Sequence, residues 1–325
     1  MAIAGTIFGR LLKAALTLLA IAVLNFFLIH AAPGDPAVVL AGEAGAADEQ
    51  MIADLRAQFG LDQPLYVQLY RYVGNILTLD LGYSFRQGAP VLDLILERLP
   101  ATLILTLTAF WISLLAGVAL GVAASARVGK FTDSLITGTA LLFYATPLYW
   151  AALMAVLVFS VQLGWLPGFG YETVGSGYGG FDRAIDILKH LILPALTLGL
   201  FFMAVYMRMT RASMLEVAQQ DFVKTARAKG LAPSVIRRRH ILRNALLPVV
   251  TLAGLQAGQL VGGAVLTETV FAWPGIGRLM FESLAARDYN TILGVFLVSA
   301  LMVIIFNIIT DIVYRLIDPR IGQKA

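Results

Sequence analysis

Leu99-Pro100-Ala101-Thr102-Leu103-Ile104-Leu105-Thr106-Leu107-Thr108-Ala109-Phe110-Trp111-Ile112-Ser113-Leu114-Leu115-Ala116-Gly117-Val118-Ala119-Leu120-Gly121-Val122-Ala123-Ala124-Ser125-Ala126 contains no Asp, Glu, Lys or Arg. A hydrocarbon core of ~30 Å is crossed by about 20 apolar residues rising ~1.5 Å each. Five more charge-free runs of similar length occur, at 14–34, 134–171, 190–207, 244–267 and 289–310. The third is too long for one helix, and its tail Gly164-Trp165-Leu166-Pro167-Gly168-Phe169-Gly170-Tyr171 reads as loop. The runs predict helices near 9–31, 99–124, 135–163, 190–210, 246–270 and 291–314. Backbone in lipid must satisfy its own hydrogen bonds, which a continuous apolar run does as a helix. The ten-residue alternation of a transmembrane barrel is absent from the sequence.

Composition agrees. Of 325 residues, 59% are hydrophobic and 14% charged, against about 25% charged in soluble domains. Mean hydropathy is +0.80. These values exclude a disordered chain and an ordinary cytosolic enzyme. The chain has no cysteine, which removes disulfides, thiolate catalysis and Cys-bound metals. His30, His190 and His240 are far apart in sequence and suggest no metal site.

Six spans put both termini on one side. That side carries sixteen of the 24 Lys and Arg residues, and four of the other eight (Arg56, Arg71, Arg86 and Arg98) fall in a loop too long to weigh in the positive-inside rule. The termini are therefore expected in the cytoplasm. A cleavable signal peptide is the competing reading of 1–32, with Arg10 and Lys13 as its charged region. The apolar run that follows is long for a signal.

Residues 32–98 form the longest external segment. Pro33-Gly34-Asp35-Pro36 ends the first helix. A helical stretch is expected at about 47–59, stopping at Gly60. Another starts at Pro64-Leu65, with Tyr66, Leu69, Tyr70, Val73 and Leu77 on one face. That stripe suits either packing on the membrane surface or neighbouring loops, or docking of an external partner. A second external loop is expected at 164–189. Its Gly175-Ser176-Gly177-Tyr178-Gly179-Gly180 follows no strand, so it reads as a turn rather than a dinucleotide site.

Residues 208–243 carry nine basic and two acidic side chains. Retention by charge and attraction to anionic lipid explain the sign but not the pattern. Leu215, Ala218, Phe222 and Ala226 fall at helical spacing and predict one amphipathic helix ended by Gly230. Pro233 opens a second short helix with Val235, Ile236, Leu242 and Leu246 on one side. Leu247-Pro248 then leads into the fifth span. Such a helix–turn–helix is a rigid knob able to pass a partner's movement to two membrane helices.

Asp221-Phe222-Val223-Lys224-Thr225-Ala226-Arg227-Ala228-Lys229-Gly230-Leu231, followed by Arg243-Asn244-Ala245-Leu246-Leu247-Pro248, resembles the coupling loop of ABC-importer permease subunits. Its general form is E-A-A-x-x-x-G, nine residues, then I-x-L-P. Here Lys224 replaces the acidic position and Thr225 the first Ala, and Pro248 comes five residues late. Both departures are usual in the dipeptide/oligopeptide branch. Ala32-Pro33-Gly34-Asp35-Pro36, Phe59-Gly60-Leu61-Asp62-Gln63-Pro64-Leu65 and Asp80-Leu81-Gly82-Tyr83-Ser84 are similar to that branch. So are Glu268-Thr269-Val270-Phe271-Ala272-Trp273-Pro274-Gly275-Ile276-Gly277, Arg287-Asp288-Tyr289, Asn307-Ile308-Ile309-Thr310-Asp311-Ile312-Val313-Tyr314 and Asp318-Pro319-Arg320. Together they cover about 9–321.

The resemblance implies an all-α membrane protein of six transmembrane helices. It has a long external loop after the first and a cytoplasmic coupling-helix loop between the fourth and fifth. Residues 1–98 would be the first helix with its external segment, and 99–325 a five-helix permease core. It implies a transport subunit of the bacterial-type inner membrane, not an enzyme, moving di- or oligopeptides delivered by an external solute-binding protein. Nickel complexes or another small solute are the alternative cargo. No His- or Met-rich tract argues for metal. The implied partners are a second, homologous permease subunit, two cytoplasmic ABC ATPases, the binding protein and membrane lipid, with no nucleic acid. ATP and magnesium would belong to the ATPases. The sequence has no G-x-x-x-x-G-K-[ST] phosphate loop, and its extramembrane parts are too short for a nucleotide-binding domain.

Intramembrane polar residues are costly and are therefore candidate pathway groups. Glu268 near the end of helix five, Gln256 and Gln259 within it, and Tyr144 and Pro147 in helix three are candidates for the pathway or its gate. Structural anchoring competes for Glu268 and for Asp311, which lies one turn after Asn307. Close packing of Gly254, Ala257, Gly258, Gly262 and Gly263 competes for the glutamines. Pro147, beside Tyr144 and Tyr149, is expected to kink helix three. An autonomous secondary transporter would need a charged relay at mid-membrane, and an intramembrane protease a nucleophile–base pair at depth. The charge-free spans supply neither.

Overall fold

The computed structural model describes residues 2–31, 38, 49–58 and 62–317. Pro33-Gly34-Asp35-Pro36, Phe59-Gly60-Leu61, Asp318-Pro319-Arg320 and the side chain of Asp311 lie outside the described residues. The elements in order are α1 (Ala2–Ala31), α2 (Glu49–Gln58), α3 (Leu65–Leu77), a hairpin of β1 (Tyr83–Ser84) and β2 (Ala89–Pro90), α4 (Val91–Ser125) and α5 (Phe131–Ala145). Next come α6 (Leu148–Ala155, continued by a π-helix Val156–Gln162), α7 (Gly180–Val217) and α8 (Asp221–Ala228). The chain finishes with α9 (Pro233–Val235, continued by a π-helix Ile236–Ile241), α10 (Leu242–Val270), α11 (Ile276–Ala286) and α12 (Tyr289–Ile317).

Among the described residues, three helices are long and apolar enough to cross a membrane, at Val91–Ser125, Gly180–Val217 and Tyr289–Thr310. A bent pair, Phe131–Ala145 with Leu148–Gln162, makes a fourth if it is one span, and Leu12–Leu28 of α1 is a shorter apolar stretch. Three expectations need correction. The fourth helix begins at Gly180, so the second loop ends there and not at 189. The third helix is not kinked but broken, with a 101° bend. The cause is local: Thr146 takes φ −77°, ψ 128° and Pro147 φ −56°, ψ 130°. Proline clashes with a helical predecessor and drives it extended. Pro100, Pro194 and Pro248, by contrast, sit inside continuous helices. The third correction concerns 208–243 and is given with the site.

The chain divides into two compact units. The first comprises 1–100 and 278–304. In it the last turns of α1 meet α3, with Phe26 and Tyr72 rings 5.9 Å apart and His30 Nε2 3.0 Å from Gln68 Oε1. The hairpin is held by the Ser84 hydroxyl, which donates to buried Asp288, and by Asn290 Nδ2 donating to the Tyr83 carbonyl at 3.0 Å. Glu282 accepts from both Arg98 (3.0 Å) and Arg278 (2.7 Å).

The second unit comprises 101–277 and 305–325 and is built around α7. Lipid tails are as apolar as leucine, so close packing rather than escape from water joins helices here. Gly117 and Gly121 of α4 form a Gly-x-x-x-Gly seam against α7. A Cβ on Gly117 would stand 2.8 Å from the Met203 carbonyl oxygen, and one on Gly121 2.8 Å from that of Met207. Gly199 of α7 answers with a site 3.2 Å from the Ala109 carbonyl oxygen. Leu105, Leu198, Phe202, Tyr206, Val249 and Trp273 fill the common core.

Candidate functional site

Residues 214–245 of the second unit fold into one small cluster. α7 ends at Val217, and Gln220 turns extended (φ −70°, ψ 153°) to release α8 in a new direction. The single amphipathic helix expected through Leu215 and Phe222 is therefore two. Asp221 stands in the first turn of α8, where a carboxylate suits the helix dipole. Its ion pair with Lys224 (2.8 Å) is almost fully solvated and adds little.

The far end of α8 closes in a Schellman turn. Gly230 N donates to Arg227 O at 2.9 Å and Leu231 N to Ala226 O at 3.4 Å, with Gly230 at φ +76°. Val223 and Ala226, three residues apart, are the buried face of α8. They pack with Met214 and Val217 of α7 and with Ile236, Ile241 and Ala245 beyond the turn. The second short helix is likewise no separate element, because α9, its π-helical continuation and α10 follow without a gap. On an ordinary α-helix, positions 236 and 241 lie about 140° apart. The i→i+5 winding brings both onto one face, and both are buried in the cluster.

What remains outside is a continuous polar and aromatic surface. Asp221, Phe222, Lys224, Thr225, Arg227, Ala228, Lys229, Gly230 and Leu231 are exposed, Phe222 by 40%. Beneath it a recess of about 420 Å³ is lined by Met214, Leu231, Pro233 and Ile241, with Arg227 and Arg237 at its edge. Pro248 is half-buried within α10. Sequence reasoning grouped Phe222 with Leu215, Ala218 and Ala226 at helical spacing and did not single out Val223. The readable signal was the apolar pair at 223 and 226 on a helix otherwise polar apart from Phe222 and Ala228. The arrangement offers a short, rigid, exposed helix clamped to the ends of two long ones.

The other candidates are dispersed. Tyr144 stacks on Phe201 with centroids 5.5 Å apart, just before the break at Pro147. Gln256 is half-buried, and its Oε1 is buried without a hydrogen-bond partner among the described residues. The side chain of Gln259 lies outside the described residues. Glu268 is fully buried and accepts from Thr102 Oγ1 at 2.7 Å, while that hydroxyl accepts from Ile276 N at 2.8 Å. The turn after α10 folds tightly over this carboxyl: a Cβ on Gly275 would stand 2.2 Å from it. Trp273, buried beside it, donates from Nε1 to the Ala101 carbonyl at 2.8 Å. On the loop side of α7, Arg211 binds Asp133 bidentately, both contacts at 2.8 Å, and Gly129 N donates to the same carboxylate. Sequence reasoning missed this latch.

A mostly helical bundle with apolar helices that presents such a helix–turn between two long ones fits the inner-membrane subunits of binding-protein-dependent transport systems. The chain belongs to this family: residues 113–323 match the binding-protein-dependent transport system inner membrane component, and residues 5–106 its N-terminal companion. It is similar to the dipeptide transport system permease protein DppB of Alkalihalophilus pseudofirmus, 40% identical over 96% of this chain and 97% of the relative. The oligopeptide transport system permease protein AppB of Bacillus subtilis is 40% identical over 98% and 99%. DppB of Escherichia coli K12 is 38% identical over 95% and 96%. Inward-facing structures of the MetNI methionine ABC transporter share the fold at TM-scores of 0.56 and 0.53. They are 17% and 20% identical, and cover 69% of this chain and 96% of theirs.

Proposed function

We propose that this chain is a permease subunit of an ATP-driven importer for di- or oligopeptides, and that α8 with its closing turn is the element an ATPase subunit grips. The observation that carries the reading is 38–40% identity over nearly the whole length to relatives named for dipeptide and oligopeptide transport. The geometry of α8 supports the docking role, since its inner face is occupied by Val223 and Ala226 while Phe222 and Lys224 are left for a partner. In this reading six spans hold both termini in the cytoplasm. Residues 1–98 and 99–325 are the first helix with its external segment and the permease core. A homologous second permease, two ATPases carrying ATP and magnesium, and an external binding protein complete the machine. Energy then enters by contact, and the pathway changes its exposure because ligand and nucleotide favour different arrangements of the same helices. Tyr144, Pro147, Gln256 and Gln259 are kept as pathway candidates, and Glu268 as the anchor of the turn after α10.

The native chain lacks cysteine, so Phe222→Cys gives a unique thiol. In proteoliposomes holding all subunits and the binding protein, this thiol should cross-link to the ATPase, and labelled dipeptide should accumulate only with ATP. Uptake driven by a proton gradient without ATP would overturn the importer reading. Cross-linking to lipid alone would overturn the docking role.

A further inference from the structure

We propose that α3 is an interfacial helix that slopes into one leaflet beside α1 and seats Tyr66, Tyr70 and Leu77 among lipid headgroups and upper acyl carbons. No residue of α3 is buried. Tyr66, Tyr70 and Leu77 are 74%, 81% and 80% exposed. At spacings of four and seven they form one stripe. Gln68 and Tyr72 lie across the helix from that stripe, on the face that meets α1, while Arg71, Gly74 and Asn75 are exposed between the two.

The contacts with α1 fix the depth. The apolar stretch of α1 is Leu12–Leu28. His30, which meets Gln68, lies just beyond that stretch, and Phe26, which meets Tyr72, lies inside it. One turn forward along α3 is thus one turn back along α1, and each turn is ~5.4 Å. The Leu77 end of α3 therefore sits deeper than the Tyr66 end. Leu24, Phe27 and Leu28 of α1 at this level are exposed as well. Tyrosine suits that zone because its ring is apolar and its hydroxyl reaches headgroups. Arg71 is exposed and can extend its charge to water. A protein partner would need no such gradient of depth.

The inference rests on α1 being a membrane span, but not on which side α3 occupies. Tyr66→Cys, Leu77→Cys and Asp62→Cys, each spin-labelled, are placed in the assembled transporter in phosphatidylethanolamine/phosphatidylglycerol nanodiscs. The ratio of oxygen to nickel-chelate collisions should be lowest at 62, ahead of the shallow end of α3, higher at 66 and highest at 77. If position 77 is as open to the nickel chelate as position 62, α3 stands in water and the proposal fails. If 66 and 77 are screened from both reagents only when the external binding protein is bound, the stripe is a protein-docking surface and the proposal also fails. If Leu77→Cys does not assemble, Tyr70→Cys carries the same comparison. A membrane-impermeant maleimide reads the side separately, so a wrong topology is told apart from a wrong depth.

Discussion

Replacing Gly230 by alanine isolates one property of the turn that closes α8. At φ +76° an L-residue brings its Cβ against the following carbonyl, costing roughly 1–2 kcal/mol. Nothing lies within 4 Å of the site a Cβ would take, so no steric term is added. The strain falls on the two hydrogen bonds that close α8, Gly230 N to Arg227 O and Leu231 N to Ala226 O. One to two kcal/mol shifts the balance between closed and frayed turn by about 5–30-fold. The buried pair Val223 and Ala226 is not touched, so insertion and assembly should be normal. The assay is peptide uptake per ATP hydrolysed in proteoliposomes with all partner subunits. Gly230→Ala should lower that ratio, and Gly230→Asn should recover much of it because asparagine tolerates the left-handed region. Equal ratios for Ala and Asn would refute the argument, whether both were normal or both impaired, since φ would then not be the variable.

Gly121→Val should lower the thermal midpoint of the purified complex, because its Cβ meets the Met207 carbonyl at 2.8 Å and overpacking costs about 1–3 kcal/mol; differential scanning fluorimetry reads it. Glu268→Ala leaves the buried Thr102 hydroxyl without its acceptor, a loss of about 1–3 kcal/mol. Glu268→Gln, which keeps an oxygen there, should restore part of the midpoint. Arg211→Gln leaves the Asp133 carboxylate short of its bidentate partner and should lower the midpoint more than the double variant with Asp133→Asn.

The apolar runs and the loop around Gly230 could be read because each is written in consecutive residues. Charge-free length sets a helix in lipid, and a glycine after an amphipathic stretch sets its end. Features that depend on distant partners were not legible. Pro100, Pro194 and Pro248 lie inside long helices that stay continuous, whereas Pro147 parts one because Thr146 has turned extended there. The enclosure of Glu268 needs Thr102, 166 positions away. The β1–β2 hairpin and α11 were missed because their residues carry no periodicity long enough to register. The Gly117–Gly121 spacing, by contrast, stood in the sequence.

α7 contains 38 residues and so runs ~57 Å without interruption, farther than a bilayer is thick. It ends where α8 begins. A displacement imposed at its loop end would be carried along the shaft as tilt or roll, and Pro194, where the shaft lacks an amide donor, is the point at which it would bend first.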